Sequence, residues 1–139
     1  MIPADRVASW SQPATVAAFA SGSPNARLMA VAARSRASGA ARLVDIGCGA
    51  GRNAIPLARE GWDVLGTDLS TPMLDAAVRR AREERIDPQP VFCVAPMDAI
   101  PADDASADFI VAHGIWNLAE SSDEMRRAMR EAAEGGLIK

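Results

Sequence analysis

The chain of 139 residues has little aromatic, histidine or cysteine content: it contains no tyrosine, one histidine and two cysteines. Cys48 and Cys93 stand far apart, and neither forms part of a Cys-x-x-Cys or a histidine pair. The sequence therefore excludes a disulfide framework and the common zinc sites. It predicts a protein of the reducing cytoplasm without a bound metal.

Long hydrophobic runs are also missing. No stretch approaches the ~18 apolar residues that a membrane-spanning helix needs, and no charged start followed by an apolar core suggests a secretory signal. Hydrophobic residues make up 49% of the chain and charged residues 24%, which is typical of a globular protein. We therefore expect one domain that does not use a membrane.

Acidic residues are absent from one region. Between Arg6 and Arg42 there are five arginines and no acid, so this region carries +5 and the rest of the chain −8. An acid-poor, arginine-containing N-terminus also occurs in organelle transit peptides, but a surface helix leading into the domain is the simpler interpretation. The overall charge of −3 argues against nucleic acid as a partner.

Short apolar runs alternate with helical patterns along the chain. Strands are predicted at 42–46, 63–67, 91–95 and 108–112, with a fifth beginning at 137. Helices are predicted at 11–20, 26–38, 52–60, 71–85 and 121–134. This alternation predicts a parallel α/β sheet flanked by helices. Residues 1–41 would form a helical lead-in or lid, and residues 42–139 the sheet domain.

A glycine-rich stretch, "DIGCGAG", follows the first predicted strand and contains Gly47, Gly49 and Gly51. Glycines let the backbone turn tightly and approach a ligand closely, and ligands of parallel sheets bind beyond the carboxyl ends of the strands. A dinucleotide fingerprint would need glycine where Arg52 stands, and a phosphate-binding P-loop would need Gly-Lys-Ser/Thr. Neither pattern is present.

The order Asp-x-Gly-x-Gly-x-Gly instead resembles motif I of the class I S-adenosylmethionine-dependent methyltransferases. Asp68 in "VLGTDLS" resembles the acidic residue of motif II, and Asp98 in "PMDAIP" resembles that of motif III. The stretches "ADFIVAHGIWNLAE" and "EAAEGGLI" resemble the fourth strand and the helix-Gly-Gly-strand passage after it. The resemblance covers 42–139. It implies a Rossmann-like, three-layer α/β/α fold and in-line transfer of a methyl group from S-adenosylmethionine.

The resemblance also implies a role for each matching residue. Asp45 would help to hold the amino group of the cofactor, Asp68 would accept both ribose hydroxyls, and Asp98 would bind the adenine amino group. The loop residues expected to cradle the methionine part are Gly47, Cys48, Gly49 and Gly51. Those expected to pack on the adenine ring are Leu69, Met97 and Ala99.

His113 would face the methionine end of the cofactor and is the candidate catalytic base, although a wall residue of the pocket is an alternative. Asp68 could instead only cap a helix, Asp98 could form a turn, and Asp45 could bond loop amides. Cys48 is expected to fill space rather than act as a nucleophile. Trp116 and Asn117 are candidates for lining the acceptor pocket, and Trp10 and Phe19 for a lid over the cofactor.

One departure from the family concerns the end of the chain. Class I methyltransferases usually continue past the Gly-Gly into a fifth strand, a helix and a β-hairpin, whereas this chain ends at Lys139. The C-terminal strands are therefore missing, and we expect a partial or shortened relative. Its exposed sheet edge could pair with a second copy to form a homodimer.

Three functions stay open on the sequence alone. A small-molecule methyltransferase is favoured, because the chain lacks both a basic groove and an Asn-Pro-Pro-Tyr type motif after the fourth strand, where "HGIWN" stands. A non-catalytic cofactor-binding or dimerising module of the same fold is the first alternative. An NAD-dependent oxidoreductase is the second.

Overall fold

The computed structural model of the chain describes residues 4–97, 99–101 and 107–112. Asp98, His113, Trp116 and Asn117 lie outside these residues, as do the predicted helix 121–134 and the fifth strand. The helices are α1 (Ala4–Trp10), α2 (Pro13–Ala20), α3 (Ala26–Ala37), α4 (Ala54–Arg59) and α5 (Thr71–Glu83). The strands are β1 (Arg42–Ile46), β2 (Asp63–Asp68), β3 (Val91–Val94) and β4 (Phe109–Val111).

The four described strands form one sheet in the order β3-β2-β1-β4, and every pair is parallel. Leu43 of β1 lies beside Val64 of β2 and Phe109 of β4, so these three side chains share one face of the sheet. Strand β1 is central, and four of its five residues are buried, as expected for a parallel strand covered on both faces. The predicted parallel α/β fold is confirmed.

Two apolar clusters cover the two faces. The larger cluster holds Leu43, Val64 and Val111 against residues of α3, α4 and α5. The smaller holds Val44, Ile46, Met97 and Ala107, with Val7 and Trp10 of α1 packed against it. Helix α1 was not among the predicted helices. It covers part of the second face, so that the sheet lies between two helical layers.

Helix α5 follows the sequence prediction closely. The side chain of Ser70 accepts a hydrogen bond from the Met73 N–H at 3.3 Å, which makes Ser70 the N-cap. The buried face of the helix consists of Met73, Leu74, Ala77 and Ala81. This face anchors the loop that precedes the helix.

Helix α4 begins later than predicted, at Ala54 instead of Arg52. Pro56 is consequently the third residue of the helix, where a backbone N–H would have no partner within the helix in any case. Pro56 therefore removes no hydrogen bond from the helix. Gly61 follows the end of the helix with φ of +100°, a left-handed conformation that glycine commonly supplies at this position.

Strand β3 is an edge strand of the described sheet. Val91 and Val94 are 59% and 57% exposed, respectively. Pro90 precedes the strand, and Pro96 follows it by two residues. The strand is four residues long.

Candidate cofactor site

The site is built where β1 and β2 end, because adjacent parallel strands bring their carboxyl ends to the same edge of the sheet. Asp45 of β1 lies beside Gly66 of β2, and Asp68 is two residues further on. The glycine-rich loop after β1 is joined to β2 by a hydrogen bond from the Cys48 N–H to the Thr67 carbonyl at 2.9 Å. The structure thus brings together the residues predicted for motifs I and II.

Asp68 ties the two loops of the site to each other. One carboxylate oxygen accepts the Gly49 N–H and the other accepts the Ser70 N–H, each at 2.9 Å. A carboxylate oxygen has two lone pairs, so each oxygen of this partly exposed side chain can accept one more donor. The residue that caps α5 is Ser70 and not Asp68. A helix-capping role therefore does not explain why an aspartate stands at position 68.

Asp45 is the most unusual group of the site. Its side chain is 2% exposed, and no described residue donates a hydrogen bond to its carboxyl group. Burial, and then the charge of Asp68, raise the pKa of Asp45 from 3.8 to about 8. A buried ionisable group without a partner is costly. A cation bound at this point would offset part of that cost.

The loop amides do not donate to Asp45, which was one alternative for that residue. The Gly49 N–H goes to Asp68, and the Gly51 N–H donates to the Cys48 carbonyl at 3.1 Å. These amides therefore leave the acceptor capacity of the Asp45 carboxyl group to a ligand.

Cys48 is buried, as expected of a residue that fills space. Burial raises the pKa of its thiol, and the charges of Asp45 and Asp68 raise it further. Because the thiolate is the nucleophilic form, this environment disfavours nucleophilic chemistry. Its Sγ would lie 2.9 Å from a Cβ added at Gly66, and the Phe92 ring would lie at 2.7 Å, so the thiol and the ring together fill the space that this glycine leaves.

The glycines of the loop face two different environments. Gly49 has φ of +56°, and among the described residues a Cβ at this position would meet only Met73 Sδ within 4 Å, at 3.9 Å. Gly51 has φ of +84°, and a Cβ there would lie 2.6 Å from Ile55 Cδ1. Gly49 is therefore open on the side where a ligand can approach, whereas Gly51 allows close packing of the loop on α4.

The residues expected around an adenine ring are only partly brought together. Leu69 and Met97 belong to the same apolar cluster, together with Trp10 of α1. Ala99 is exposed. Their contact with a ring stays a prediction, as do the roles of Asp98 and His113.

Sequence reasoning missed the side chains that connect the N-terminal helices to the site. The hydroxyl oxygens of Ser11 and Ser70 are 2.7 Å apart. The Asn25 N–H donates to the side-chain oxygen of Asn53 at 2.9 Å. These pairs are 59 and 28 residues apart in the chain, so no local sequence signal could have found them.

Membrane spans and metal clusters are both missing from the described residues. None of the helices in this part of the chain is long and apolar enough to cross a membrane. Within the same residues, no group of three or more His, Cys, Asp or Glu side chains could hold a metal ion.

Comparisons with known proteins agree with this geometry. The family described as methyltransferase domain matches residues 43–135. The 27-O-demethylrifamycin SV methyltransferase of Amycolatopsis mediterranei is 34% identical over 100 residues, which are 70% of this chain and 36% of that protein. The chain spans 40% or less of the length of the curated relatives that it matches.

Solved structures share the fold. The magnesium protoporphyrin IX methyltransferase of Synechocystis PCC 6803 with bound S-adenosylmethionine has a TM-score of 0.65 at 25% identity, over 78% of this chain and 52% of that one. The cyclase SpnF has a TM-score of 0.74 at 22% identity, over 96% of this chain and 55% of that one, and shows the fold alone. With its motif I and motif II residues assembled at one edge of a parallel sheet, the chain belongs to the class I S-adenosylmethionine-dependent methyltransferases.

Proposed function

We propose that the chain binds S-adenosylmethionine at the ends of β1 and β2 and forms part of a methyltransferase for a small-molecule acceptor. The observation that carries the proposal is Asp45, a buried carboxyl group that receives no hydrogen bond from the described residues, next to Asp68. The cofactor has a cationic ammonium and a cationic sulfonium, so the two carboxyl groups fit its charge. The pyrophosphate of a dinucleotide would instead add negative charge beside them.

The residues of the chain would bind and orient the cofactor, which supplies an electrophilic methyl group when it is bound. Asp68 would accept the ribose hydroxyls with the lone pairs that its loop contacts leave free. Asp45 would pair with the ammonium group, and the open side of Gly49 would let the backbone approach. Methyl transfer needs proximity and alignment above all, and His113 would act as a base only for a poorly nucleophilic acceptor.

Two observations support a small-molecule acceptor: the names of similar proteins and the net charge of the chain. One relative is named for a rifamycin substrate and one solved structure for a protoporphyrin. The net charge of −3 argues against a polyanionic acceptor. A non-catalytic module that binds the same cofactor is the second candidate. Turnover of a small-molecule panel, measured on a chain extended to the length of the relatives, would separate the two.

The cofactor is tested by calorimetric titration with S-adenosylhomocysteine and, in parallel, with NADH. We expect micromolar binding of the former and none of the latter. Binding of NADH alone would contradict the proposal and favour an oxidoreductase. Sedimentation of the same samples would test the homodimer predicted from the sheet edge.

The two loop glycines should respond differently to alanine. A left-handed backbone costs a non-glycine residue about 1–2 kcal/mol, and Gly51→Ala adds a clash with Ile55 that costs about 1–3 kcal/mol more. Gly49→Ala has the backbone cost without that clash, but its methyl group points to the open side. We expect Gly51→Ala to lower the melting temperature more, and Gly49→Ala to weaken S-adenosylhomocysteine binding more.

Gly39→Ala is the matched control for both variants. Gly39 has φ of +100°, and a Cβ there would meet no atom of the described part of the chain within 4 Å. It should therefore show the backbone cost alone, with unchanged binding. Equal melting temperatures for the Gly39 and Gly51 variants would contradict the packing argument.

A further inference from the structure

The N-terminal helical segment, defined here as residues 4–25, contacts the sheet domain at both loops of the proposed cofactor site. Near its middle, Ser11 meets Ser70 in the loop after β2. At its end, Asn25 donates to Asn53, just after the glycine-rich loop. The segment therefore bridges the two loops that would hold the two ends of the cofactor.

The direction of the hydrogen bond between the two serines follows from counting protons. The Ser11 hydroxyl donates its one proton to the Val7 carbonyl at 2.9 Å. With that proton on Val7, Ser70 is the donor to Ser11, while the Ser70 oxygen accepts the Met73 N–H. Without the Ser11 hydroxyl, the fully buried Ser70 would lose the acceptor that this contact supplies, which is costly for a buried donor.

Ser70 connects Ser11 to the proposed cofactor site. Its backbone N–H donates to Asp68 at 2.9 Å, and the other oxygen of Asp68 accepts the Gly49 N–H. A rotation of Ser70 to find another acceptor would therefore disturb the residue expected to hold the ribose.

The second contact uses the side chain of Asn53, which does not cap its own helix. It precedes α4, where an asparagine side chain usually accepts a hydrogen bond from the helix amides, yet it makes no such bond. Its oxygen instead accepts the Asn25 N–H, and the residue is buried. The neighbouring Arg52 side chain donates to the Ser23 carbonyl, which strengthens the same connection.

We propose that Ser11 and Asn53 are positioning residues for the cofactor, through which the N-terminal segment holds both loops in their binding geometry. The inference rests on the proposed function. Because coupling between two equilibria is reciprocal, cofactor binding must in turn make the segment harder to open.

The first test compares dissociation constants for S-adenosylhomocysteine in the wild type, Ser11→Ala and Asn53→Ala, at a temperature where all are folded. One lost hydrogen bond predicts about a twofold to tenfold weaker binding in each variant. Ser21→Ala is the control, because its partners among the described residues are two carbonyls within α2, which the exposed Ser21 hydroxyl meets at 3.0 and 3.2 Å. Lower melting temperatures with unchanged dissociation constants would overturn the proposal.

Hydrogen exchange of the wild-type chain gives a second test that needs no variant. Amides of residues 4–25 should exchange more slowly when S-adenosylhomocysteine is saturating, and Ser11→Ala should reduce this protection. Unchanged exchange with bound ligand would overturn the inference while leaving the proposed function intact. Absence of binding by the folded wild type would instead contradict the proposed function itself.

Discussion

Asp68→Ala should weaken S-adenosylhomocysteine binding by roughly tenfold to more than a hundredfold. A hydrogen bond to a charged group contributes about 1.5–3 kcal/mol, and each 1.4 kcal/mol corresponds to about a tenfold change in affinity. The variant loses the acceptor for the ribose hydroxyls and also releases the Gly49 and Ser70 amides. Calorimetric titration at one pH, with the fraction folded checked by circular dichroism, measures the effect.

Asp63→Ala is the matched control for Asp68, since Asp63 begins the same strand at its opposite, exposed end. It should bind with wild-type affinity. In Asp68→Asn an NH2 group replaces one of the two oxygens that accept the Gly49 and Ser70 amides. The variant loses the charge and one loop contact, so we expect it to bind weakly as well. Wild-type affinity in Asp68→Ala would contradict the assignment of motif II.

Asp45 should make cofactor binding depend on pH. Its pKa of about 8 in the folded chain means that the carboxyl group is protonated at pH 6 and must ionise to pair with a cation. Each pH unit below that pKa then weakens binding by up to about tenfold. Affinity for S-adenosylhomocysteine should therefore rise between pH 6 and pH 8, with release of close to one proton near pH 6. Titration in two buffers with different ionisation enthalpies counts that proton.

Asp45→Asn should bind more weakly at pH 8 and lose this pH dependence, since the amide does not titrate. Equal wild-type affinity at pH 6 and pH 8 would show that Asp45 does not pair with the ammonium group.

The same group should make the stability of the free chain fall as pH rises. Asp45 ionises near 3.8 when unfolded and near 8 when folded, so between these values the folded state binds a proton that the unfolded state has lost. The free energy of unfolding therefore decreases from about pH 4 to about pH 8. Asp45→Asn should flatten that profile in urea denaturation. A wild-type profile without this decrease would contradict the raised pKa.

Much of the sheet domain could be predicted because its signals are local. Strands β1 and β2 are short apolar runs, and helix α5 has a serine cap and an apolar face of regular spacing. The residue patterns of motifs I and II predicted that Asp45, the glycines and Asp68 share one site. Parallel pairing of neighbouring strands is sufficient to explain why they meet.

The rest depended on contacts between distant residues. Helix α1 has no capping signal and is fixed by packing of Val7 and Trp10 on the sheet. The late start of α4 accompanies the contacts of Arg52 and Asn53 with the N-terminal segment. The isolation of the Asp45 carboxyl from the loop amides could not be predicted either, because it requires knowing where each amide donates.

Strand β3 has a consequence for solubility. Its two exposed valines and its position at the edge of the described sheet favour pairing with another β-strand, a common route to aggregation. Pro90 and Pro96 limit this risk, because proline cannot donate to a new strand ladder and keeps the edge short. At this edge, flanking prolines that keep the strand short limit pairing with another strand, and charged residues within the strand do not. Substitutions at these two prolines would be expected to reduce the soluble yield before they change the fold.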